Sequence, residues 1–172
     1  MQIDDGLGNA NFNHVYGFAS DTLTTTYTAN NVIKGRTYAF RYRARNLYGW
    51  SADWSPITYI LAADKPIQPA KPELMSASLA SLTLRFTPCT DNGGDHIFAY
   101  RLYINEGTDG SAFHEPISYV PTDLDLDHTL DTTNEPLIIA GLIYQIKFAC
   151  ENSKGISEVS DILYASTVAM PA

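Results

Sequence analysis

The stretch YAFRYRARNLYGWSADWS, residues 38–55, decides the fold of this chain, and a fainter copy of it, YQIKFACENSKGIS, occupies residues 144–157. In the first copy Tyr38, Phe40 and Tyr42 alternate with a second set of residues that includes three arginines. Because successive side chains of a β-strand point to opposite faces, this pattern predicts a half-buried antiparallel strand. One face of the strand is apolar and the other is basic. Each copy then continues through asparagine and a glycine-containing turn to a serine that opens another β-rich run.

The residues before and after the two strands have the same spacing in both copies, and this spacing resembles that of the fibronectin type III family. In each copy a hydrophobic residue and a glycine precede the tyrosine at the same intervals: Val32 and Gly35 before Tyr38, Ile138 and Gly141 before Tyr144. The resemblance implies an all-β fold of tandem fibronectin type III, immunoglobulin-like β-sandwiches. It also implies that Tyr38 and Tyr144 take the tyrosine-corner position at the start of strand F.

The chain is predicted to contain two modules joined by a linker. Residues 1–63 form an N-terminally incomplete module, from late strand C to strand G, because MQIDDG aligns with LYINEG at 102–107 in the second copy. Residues 64–71 form a proline-rich linker, which is semi-rigid since proline favours extended backbone. Residues 72–172 form a complete module.

The incomplete first module is predicted to lack strands A and B. The segment LTTTYTANN at 23–31 is predicted to be strand E, with Tyr27 and Val32 facing the core. Without strands A and B the inward faces of Tyr38, Phe40 and Tyr42 are uncovered, which is a liability on a soluble monomer. We expect sequence upstream of residue 1 to cover them, or another chain to do so by strand addition.

A second resemblance concerns the tryptophans that follow strand F. The segment WSADWS at 50–55 is similar to the WSxWS signature of class I cytokine receptors, with one extra residue between the two halves. In that family the tryptophans intercalate with strand F arginines. The resemblance therefore implies a cation–π ladder whose candidate members are Arg41, Arg43, Arg45, Trp50 and Trp54. The ladder either stiffens the outer face of the module or forms a basic aromatic patch for an anionic glycan or an acidic protein.

The two cysteines and one acidic run leave alternatives open. Cys89 follows strand B and Cys150 lies late in strand F, so both approach the same end of the second sandwich. They form either a disulfide, which favours an oxidising compartment, or two buried free thiols. The run DLDLD at 123–127 suits a calcium loop by ligand chemistry, but its alternation favours a solvated, acidic strand edge.

Composition restricts the function. The net charge is −8, and residues 66–172 carry 5 Lys and Arg against 14 Asp and Glu whereas residues 1–65 carry 6 against 5. The second segment is therefore strongly acidic, which argues against nucleic acid as its partner. No apolar run approaches the ~18 residues of a membrane span. The sequence contains no catalytic motif, and no cofactor or metal site is predicted.

These observations predict a structural spacer and protein-interaction module of a larger extracellular, cell-surface or filament-forming protein, without enzymatic activity. Expected partners are neighbouring modules, copies of the chain end to end, and a protein or glycan ligand. The alternatives are a receptor ectodomain that binds a protein ligand and a carbohydrate-binding accessory module of a secreted enzyme. A fainter resemblance, carried by the Gly93-Gly94 turn and by the DDG and NEG turns at 4–6 and 105–107, is to repeated modules of protist and ciliate surface proteins.

Overall fold

A computed structural model describes residues 1–9, 11–116, 125–133, 135 and 138–167. These residues form β-strands and turns, with no helix among them. Contacts between Cα atoms divide the chain into two compact units, Met1–Ala63 and Asp64–Ala172. Both units are built from antiparallel strands, so the all-β prediction is confirmed.

The first unit has six short strands. They are β1 (Gln2–Ile3), β2 (Asn13–His14), β3 (Thr37–Arg41), β4 (Arg45–Asn46), β5 (Gly49–Trp50) and β6 (Thr58–Leu61). Four of them form one antiparallel sheet in the order β2-β1-β3-β6, and β4 pairs with β5 in a separate hairpin. The first unit is therefore one four-stranded sheet with a two-stranded hairpin, and its described residues contain no second large sheet to pack against the first.

The second unit has two sheets. Its strands are β7 (Glu73–Ala77), β8 (Ser81–Arg85), β9 (Ala99–Ile104), β10 (Asp127–Asp131), β11 (Ile143–Asn152), β12 (Gly155–Ile156) and β13 (Leu163–Ser166). One sheet has the order β10-β8-β7, and the other is built on β11, which pairs with β9, β12 and β13. Inward side chains from both sheets are almost fully buried, as expected for a β-sandwich. This core contains Leu82, Leu84, Phe86, Tyr100, Leu102, Leu130, Tyr144, Ile146 and Phe148.

Matching contacts in the two units show that they repeat one plan. The Asp4 carboxylate accepts hydrogen bonds from the backbone N–H groups of Gly6 (3.1 Å) and Ala39 (2.8 Å). At the same place in the second unit, the Asn105 side-chain oxygen accepts from Gly107 (3.1 Å) and Gln145 (2.8 Å). Each contact ties the turn after strand C, which is β1 or β9, to strand F, which is β3 or β11.

The tyrosine that begins strand F makes the same contact in both units. The Tyr38 hydroxyl accepts a hydrogen bond from the N–H of Ile33 at 2.8 Å, and the Tyr144 hydroxyl accepts one from the N–H of Ile139 at 2.6 Å. Both bonds span five residues back along the chain, which is the geometry of a tyrosine corner. The aromatic ring of Tyr144 is fully buried in the second core.

The prediction of strand E in the first unit is wrong. Residues 23–31 form no strand, and Asn31 has a φ of 63°, a left-handed conformation that interrupts extended backbone. Strand E pairs with strand B in the second unit, where β10 lies beside β8, and the first unit has no such neighbour. Tyr27 is consequently only half-buried and Val32 is exposed.

The inward face of strand F in the first unit is open, as expected for a half-sandwich. Tyr38 is buried, Phe40 is half-buried and Tyr42 is 62% exposed. Strand F also breaks after Arg41, whereas β11 runs without interruption through Asn152. The difference follows from pairing, since β9 accompanies β11 over six residue pairs and β1 accompanies β3 over two.

Candidate functional site: an arginine–aromatic ladder

Strand alternation and one tight turn position the ladder of the first unit. Arg41, Arg43 and Arg45 lie on the outer parity of strand F, opposite in direction to Tyr38 and Phe40. The chain reverses after Asn46, and the β4–β5 hairpin sets Trp50 directly across from Arg45.

The guanidinium groups and the aromatic rings alternate in one continuous stack. Arg43 lies between the two indoles, with its guanidinium carbon 4.7 Å from the ring centroid of Trp54 and 5.0 Å from that of Trp50. Arg45 follows at 5.8 Å from Trp50. At the other end Arg41 lies 4.6 Å from Trp54. All of these distances are within the ~6 Å over which a cation is attracted to an aromatic face. The structure thus brings all five candidate residues together.

The stack has a sixth member that the sequence reasoning missed. The ring of Phe12 covers the outer side of Arg41 at 3.9 Å. A signal for it existed, because the alignment that matches MQIDDG with LYINEG also matches Phe12 with Phe113. In the second unit Phe113 is covered by Lys147 at 3.8 Å, so this first rung recurs there.

Two serines fix the tryptophan segment against strand F. The N–H of Ser51 donates to the carbonyl of Ala44 at 2.9 Å. Ser55 and Tyr42 exchange two bonds, Ser55 N–H to the Tyr42 carbonyl at 2.8 Å and Tyr42 N–H to the Ser55 hydroxyl at 3.0 Å. The second unit makes the same bonds with Ser157 and Ser160, which are one residue closer together. The extra residue of WSADWS is therefore accommodated between the serines, and this spacing brings Trp54 into the stack.

The three arginines differ in their polar partners. The Nε of Arg41 donates to the side-chain oxygen of Gln2 at 2.8 Å. Arg45 lies 3.5 Å from the carboxylate of Asp21, in an exposed pair. Within the described part of the chain no carboxylate lies within ion-pair distance of Arg43. The centre of the ladder therefore carries an unpaired positive charge held between two indoles.

Exposed apolar side chains flank the ladder along the chain. Leu47 and Tyr48, at the tip of the β4–β5 turn, are fully exposed, and Trp50 is 42% exposed. Phe18 is also exposed and stacks on His14 with ring centroids 4.2 Å apart. Tyr, Trp and Arg are the residue types that carry most binding energy in protein interfaces.

The second unit has the same turn without these features. The residues that correspond to Leu47 and Tyr48 are Ser153 and Lys154. Those that correspond to Arg43 and Arg45 are Ala149 and Glu151. The extended ladder and its apolar rim are thus particular to the first unit.

The other predicted site residues lie in the second unit. Cys89 and Cys150 are brought together in disulfide geometry, with their Cα atoms 6.6 Å apart, at the end of the core beside Phe148. The bond itself stays a prediction. Asp127, from the acidic run, lies on β10 and forms two hydrogen bonds of 2.6 Å with Arg85 on β8. These bonds hold the pKa of the Asp127 carboxyl below its usual range. Asp123 lies outside the described residues.

Neither a metal-ligand cluster nor a membrane-spanning helix occurs among the residues that the structure describes. No group of three or more His, Cys, Asp or Glu residues is arranged to hold a metal ion there. The described residues also contain no helix of the length and hydropathy needed to cross a membrane.

Comparison with known proteins identifies the fold. No family model matches the chain. It is 31% identical over 161 residues to fibronectin type-III domain-containing protein 3a of Gallus gallus, covering 92% of this chain and 13% of that protein. It is 28% identical over 159 residues to the Homo sapiens protein 3A, covering 91% of this chain and 12% of that protein. The chain thus spans only about an eighth of the length of these relatives.

Solved structures agree. The solution structure of a fibronectin type-III domain of human fibronectin type III domain containing protein 3 aligns with a TM-score of 0.50 at 26% identity, covering 63% of this chain and 91% of that chain. Domains A168–A170 of titin align with a TM-score of 0.58 at 19% identity, covering 81% and 44%. The chain belongs to the fibronectin type III domain family. Similarity to fibronectin type III domain-containing proteins supports a structural or protein-interaction role for the module.

Proposed function

We propose that the chain is a spacer and protein-interaction segment of a larger extracellular, cell-surface or filament-forming protein, and that it binds through the ladder face of its first unit. The ladder face is defined by Arg43, Arg45, Leu47, Tyr48 and Trp50. The observation that carries the proposal is the unpaired guanidinium of Arg43, held between two indoles and rimmed by exposed apolar side chains.

The chemistry of the face selects an acidic protein partner. A guanidinium fixed by stacking on both sides can donate in-plane hydrogen bonds to a carboxylate without losing side-chain freedom on binding. Leu47 and Tyr48 add apolar contact area beside it. A partner that presents a carboxylate next to an apolar groove would satisfy both requirements. A sulfated glycan would satisfy the charge but would leave Leu47 without a complementary surface.

The extracellular or cell-surface setting rests on Cys89 and Cys150. Their placement in disulfide geometry suits an oxidising compartment, since cytosolic thiols are kept reduced. Antibody labelling of intact, non-permeabilised source cells tests this setting. Labelling that requires permeabilisation would contradict it.

Tryptophan fluorescence tests the binding face directly, because the only two tryptophans of the chain are Trp50 and Trp54 of the ladder. We expect poly-glutamate, a probe for acidic polypeptide, to change the fluorescence of the 172-residue chain in a saturable way. The effect should weaken as salt is raised, because exposed charges are screened. Heparin serves as the probe for a sulfated glycan, and neutral dextran as the uncharged control.

Two variants separate the ladder face from general charge. Arg43→Ala removes the central cation, and we expect it to weaken poly-glutamate binding at least tenfold. Lys154→Ala removes one positive charge from the corresponding turn of the second unit and should leave binding unchanged. Equal effects of the two variants, or tighter binding of heparin than of poly-glutamate, would contradict an acidic protein partner. The second result would favour the carbohydrate-binding alternative.

The receptor-ectodomain alternative shares the same face. It is favoured by the alternation of arginine and tryptophan, which is the ladder arrangement of class I cytokine receptors. A membrane-spanning segment in the full reading frame would distinguish this alternative from the spacer.

A further inference from the structure

The turn between β8 and β9 holds the segment that precedes β7. The N–H of Asp64 donates to the carbonyl of Gly93 at 2.9 Å, and the N–H of Ile67 donates to the carbonyl of Asp91 at 3.1 Å. The start of the predicted linker is therefore fixed to the second unit through the backbone of this turn. Gly93 has a φ of 75°, and a Cβ at this position would collide with the Asp64 carbonyl oxygen. Only glycine fits where the two segments cross.

This glycine follows an exposed asparagine, and Asn92-Gly93 is the only Asn-Gly pair in the chain. A bond between the backbone nitrogen of Gly93 and the side-chain amide carbon (Cγ) of Asn92 would close a five-membered ring. The two atoms are held close by the chain itself, and glycine has no side chain to obstruct their approach. The reaction requires that the nitrogen lose its proton and that Cγ become more electrophilic.

Two hydrogen bonds of the turn meet these two requirements. The Gly93 N–H donates to the carboxylate of Asp91 at 2.9 Å, which is within the reach of a general base. The side-chain oxygen of Asn92 accepts from the N–H of Gly94 at 3.0 Å, and this donor stabilises negative charge as it develops on the oxygen. The base and the oxyanion donor thus come from the residues on either side of the reacting pair.

We propose that residues 91–94 form a self-modification site at which Asn92 loses its side-chain amide. The Gly93 nitrogen bonds to Cγ of Asn92, and its proton passes to the Asp91 carboxylate. The bond between Cγ and Nδ2 then breaks, and Nδ2 takes the proton from Asp91 and leaves as ammonia. Water opens the resulting succinimide ring at one of its two carbonyl carbons. Opening at Cγ gives aspartate, and opening at the backbone carbonyl carbon gives isoaspartate.

The Asn152 side chain favours the isoaspartate product. It donates to the backbone carbonyl of Asn92 at 2.8 Å, so it stabilises the negative charge that develops there when water attacks. Isoaspartate carries the main chain through Cγ and lengthens it by one methylene group. The lengthening displaces the carbonyl of Gly93, which is the acceptor for the Asp64 N–H. The modification therefore releases Asp64 from the turn.

A turn in the first unit has the same hydrogen bonds but lacks the reactive amide. The Gly6 N–H donates to the Asp4 carboxylate at 3.1 Å, and the Leu7 N–H donates to the Asp5 carboxylate at 3.0 Å. Hydrogen bonds from the Asn9 side chain and from the Leu7 N–H hold the pKa of the Asp5 carboxyl below its usual range. Asp5 is therefore ionised at neutral pH, and its negative charge resists attack by a nucleophile. The reaction requires an asparagine at this position.

A comparison of the folded chain with a peptide tests the proposal. The 172-residue chain and a synthetic peptide of residues 90–95 are incubated side by side at neutral pH. We expect the chain to release ammonia and to gain mass at Asn92 alone, with isoaspartate as the main product in peptide mapping. The chain should react at least about tenfold faster than the peptide, because only the folded turn holds the base and the oxyanion donor in place. A chain that reacts no faster than the peptide would overturn the proposal.

Variants identify the base. Asp91→Asn keeps a side-chain oxygen as acceptor for the Gly93 N–H but removes the base, so it should slow the folded chain about tenfold. The same substitution in the peptide should change little. Asp95→Asn is the control, because the Asp95 carboxylate bonds to the N–H of Ser153 rather than to Gly93. Asp91→Asn and Asp95→Asn chains that react at equal rates would exclude Asp91 as the base.

Hydrogen exchange measures the structural consequence. In the chain that contains isoaspartate at position 92, the amide of Asp64 should exchange faster than in the unmodified chain. Asn92→Asp adds the same negative charge without the extra methylene group and should leave this amide protected. If the amide of Asp64 stays equally protected in the isoaspartate form, the release of this residue from the turn is refuted.

Discussion

Replacing Asn152 with alanine removes three hydrogen bonds from the second unit at once. Two of them hold residues 64–68, here called the strap, and the turn before β9, and the third closes the turn after β11. A hydrogen bond within a protein contributes about 0.5–1.5 kcal/mol net, and buried acceptors left without a donor add to the cost. We therefore expect Asn152→Ala to lower the free energy of unfolding of the second unit by about 2–4 kcal/mol. For a unit of this size that corresponds to a drop in Tm of roughly 10 °C.

Hydrogen exchange followed by mass spectrometry measures this loss where it arises. In the Asn152→Ala variant the amides of Asp64 and Ile67 should exchange much faster. The amides of β11 should lose protection by an amount that matches the loss in the free energy of unfolding of the second unit. Asn46→Ala is the matched control, because its one described bond is at an exposed turn and should be worth about 0.5 kcal/mol. If Asn152→Ala destabilises the chain no more than Asn46→Ala, the strap is not held by this side chain and the reasoning fails.

Three further outcomes are expected from the second unit. Tyr144→Phe leaves the Ile139 N–H without its acceptor, so urea unfolding should show a loss of about 1–3 kcal/mol. Intact mass before and after reduction should differ by the two hydrogens of one disulfide between Cys89 and Cys150. Reduction should lower the free energy of unfolding of the second unit by about 4 kcal/mol, as estimated for a loop of this length. Two free thiols in the absence of reductant would refute the pairing. The Asp127 carboxyl should titrate by NMR with a pKa below its usual value, because Arg85 pairs with the ionised form, and Arg85→Gln should raise this pKa. The stability that this pair contributes is fully present above the unfolded pKa of about 3.9 and is lost as pH falls through the folded value.

The fold was predictable because its signals are local and repeated. Alternation in residues 38–45, and the same spacing around Tyr38 and Tyr144, fix the direction and the inward face of strand F without any long-range information. The same alternation places Leu82, Leu84 and Phe86 on one face of strand B in the second unit, and all three are buried. The prediction of strand E in the first unit failed because a strand requires a neighbouring strand as well as a sequence pattern. Residues 23–31 have no neighbouring strand among the described residues.

The site was predictable only in part, for a related reason. The ladder residues lie within 14 positions of one another on a strand, a turn and its return, so sequence spacing determines their approach. Phe12 reaches Arg41 from a distant segment and was recoverable only through its match with Phe113. The hydrogen bond from the Asn152 side chain to the Asp64 carbonyl joins residues 88 positions apart. Its acceptor is a backbone carbonyl, which every residue type has, so the sequence gives no sign of it. A proline-rich composition indicated an extended segment but not what that segment contacts.

The strap also has a mechanical consequence for a chain under tension. Pulling on Asp64 loads the side chain of Asn152 and the two strap bonds before it loads β7, because these contacts come first along the chain. Release of residues 64–68 would lengthen the chain by up to roughly 17 Å, at about 3.4 Å for each extended residue. That extension leaves the core of Leu82, Phe86 and Phe148 intact. Under tension the strap would therefore yield before the strands of the β-sandwich separate.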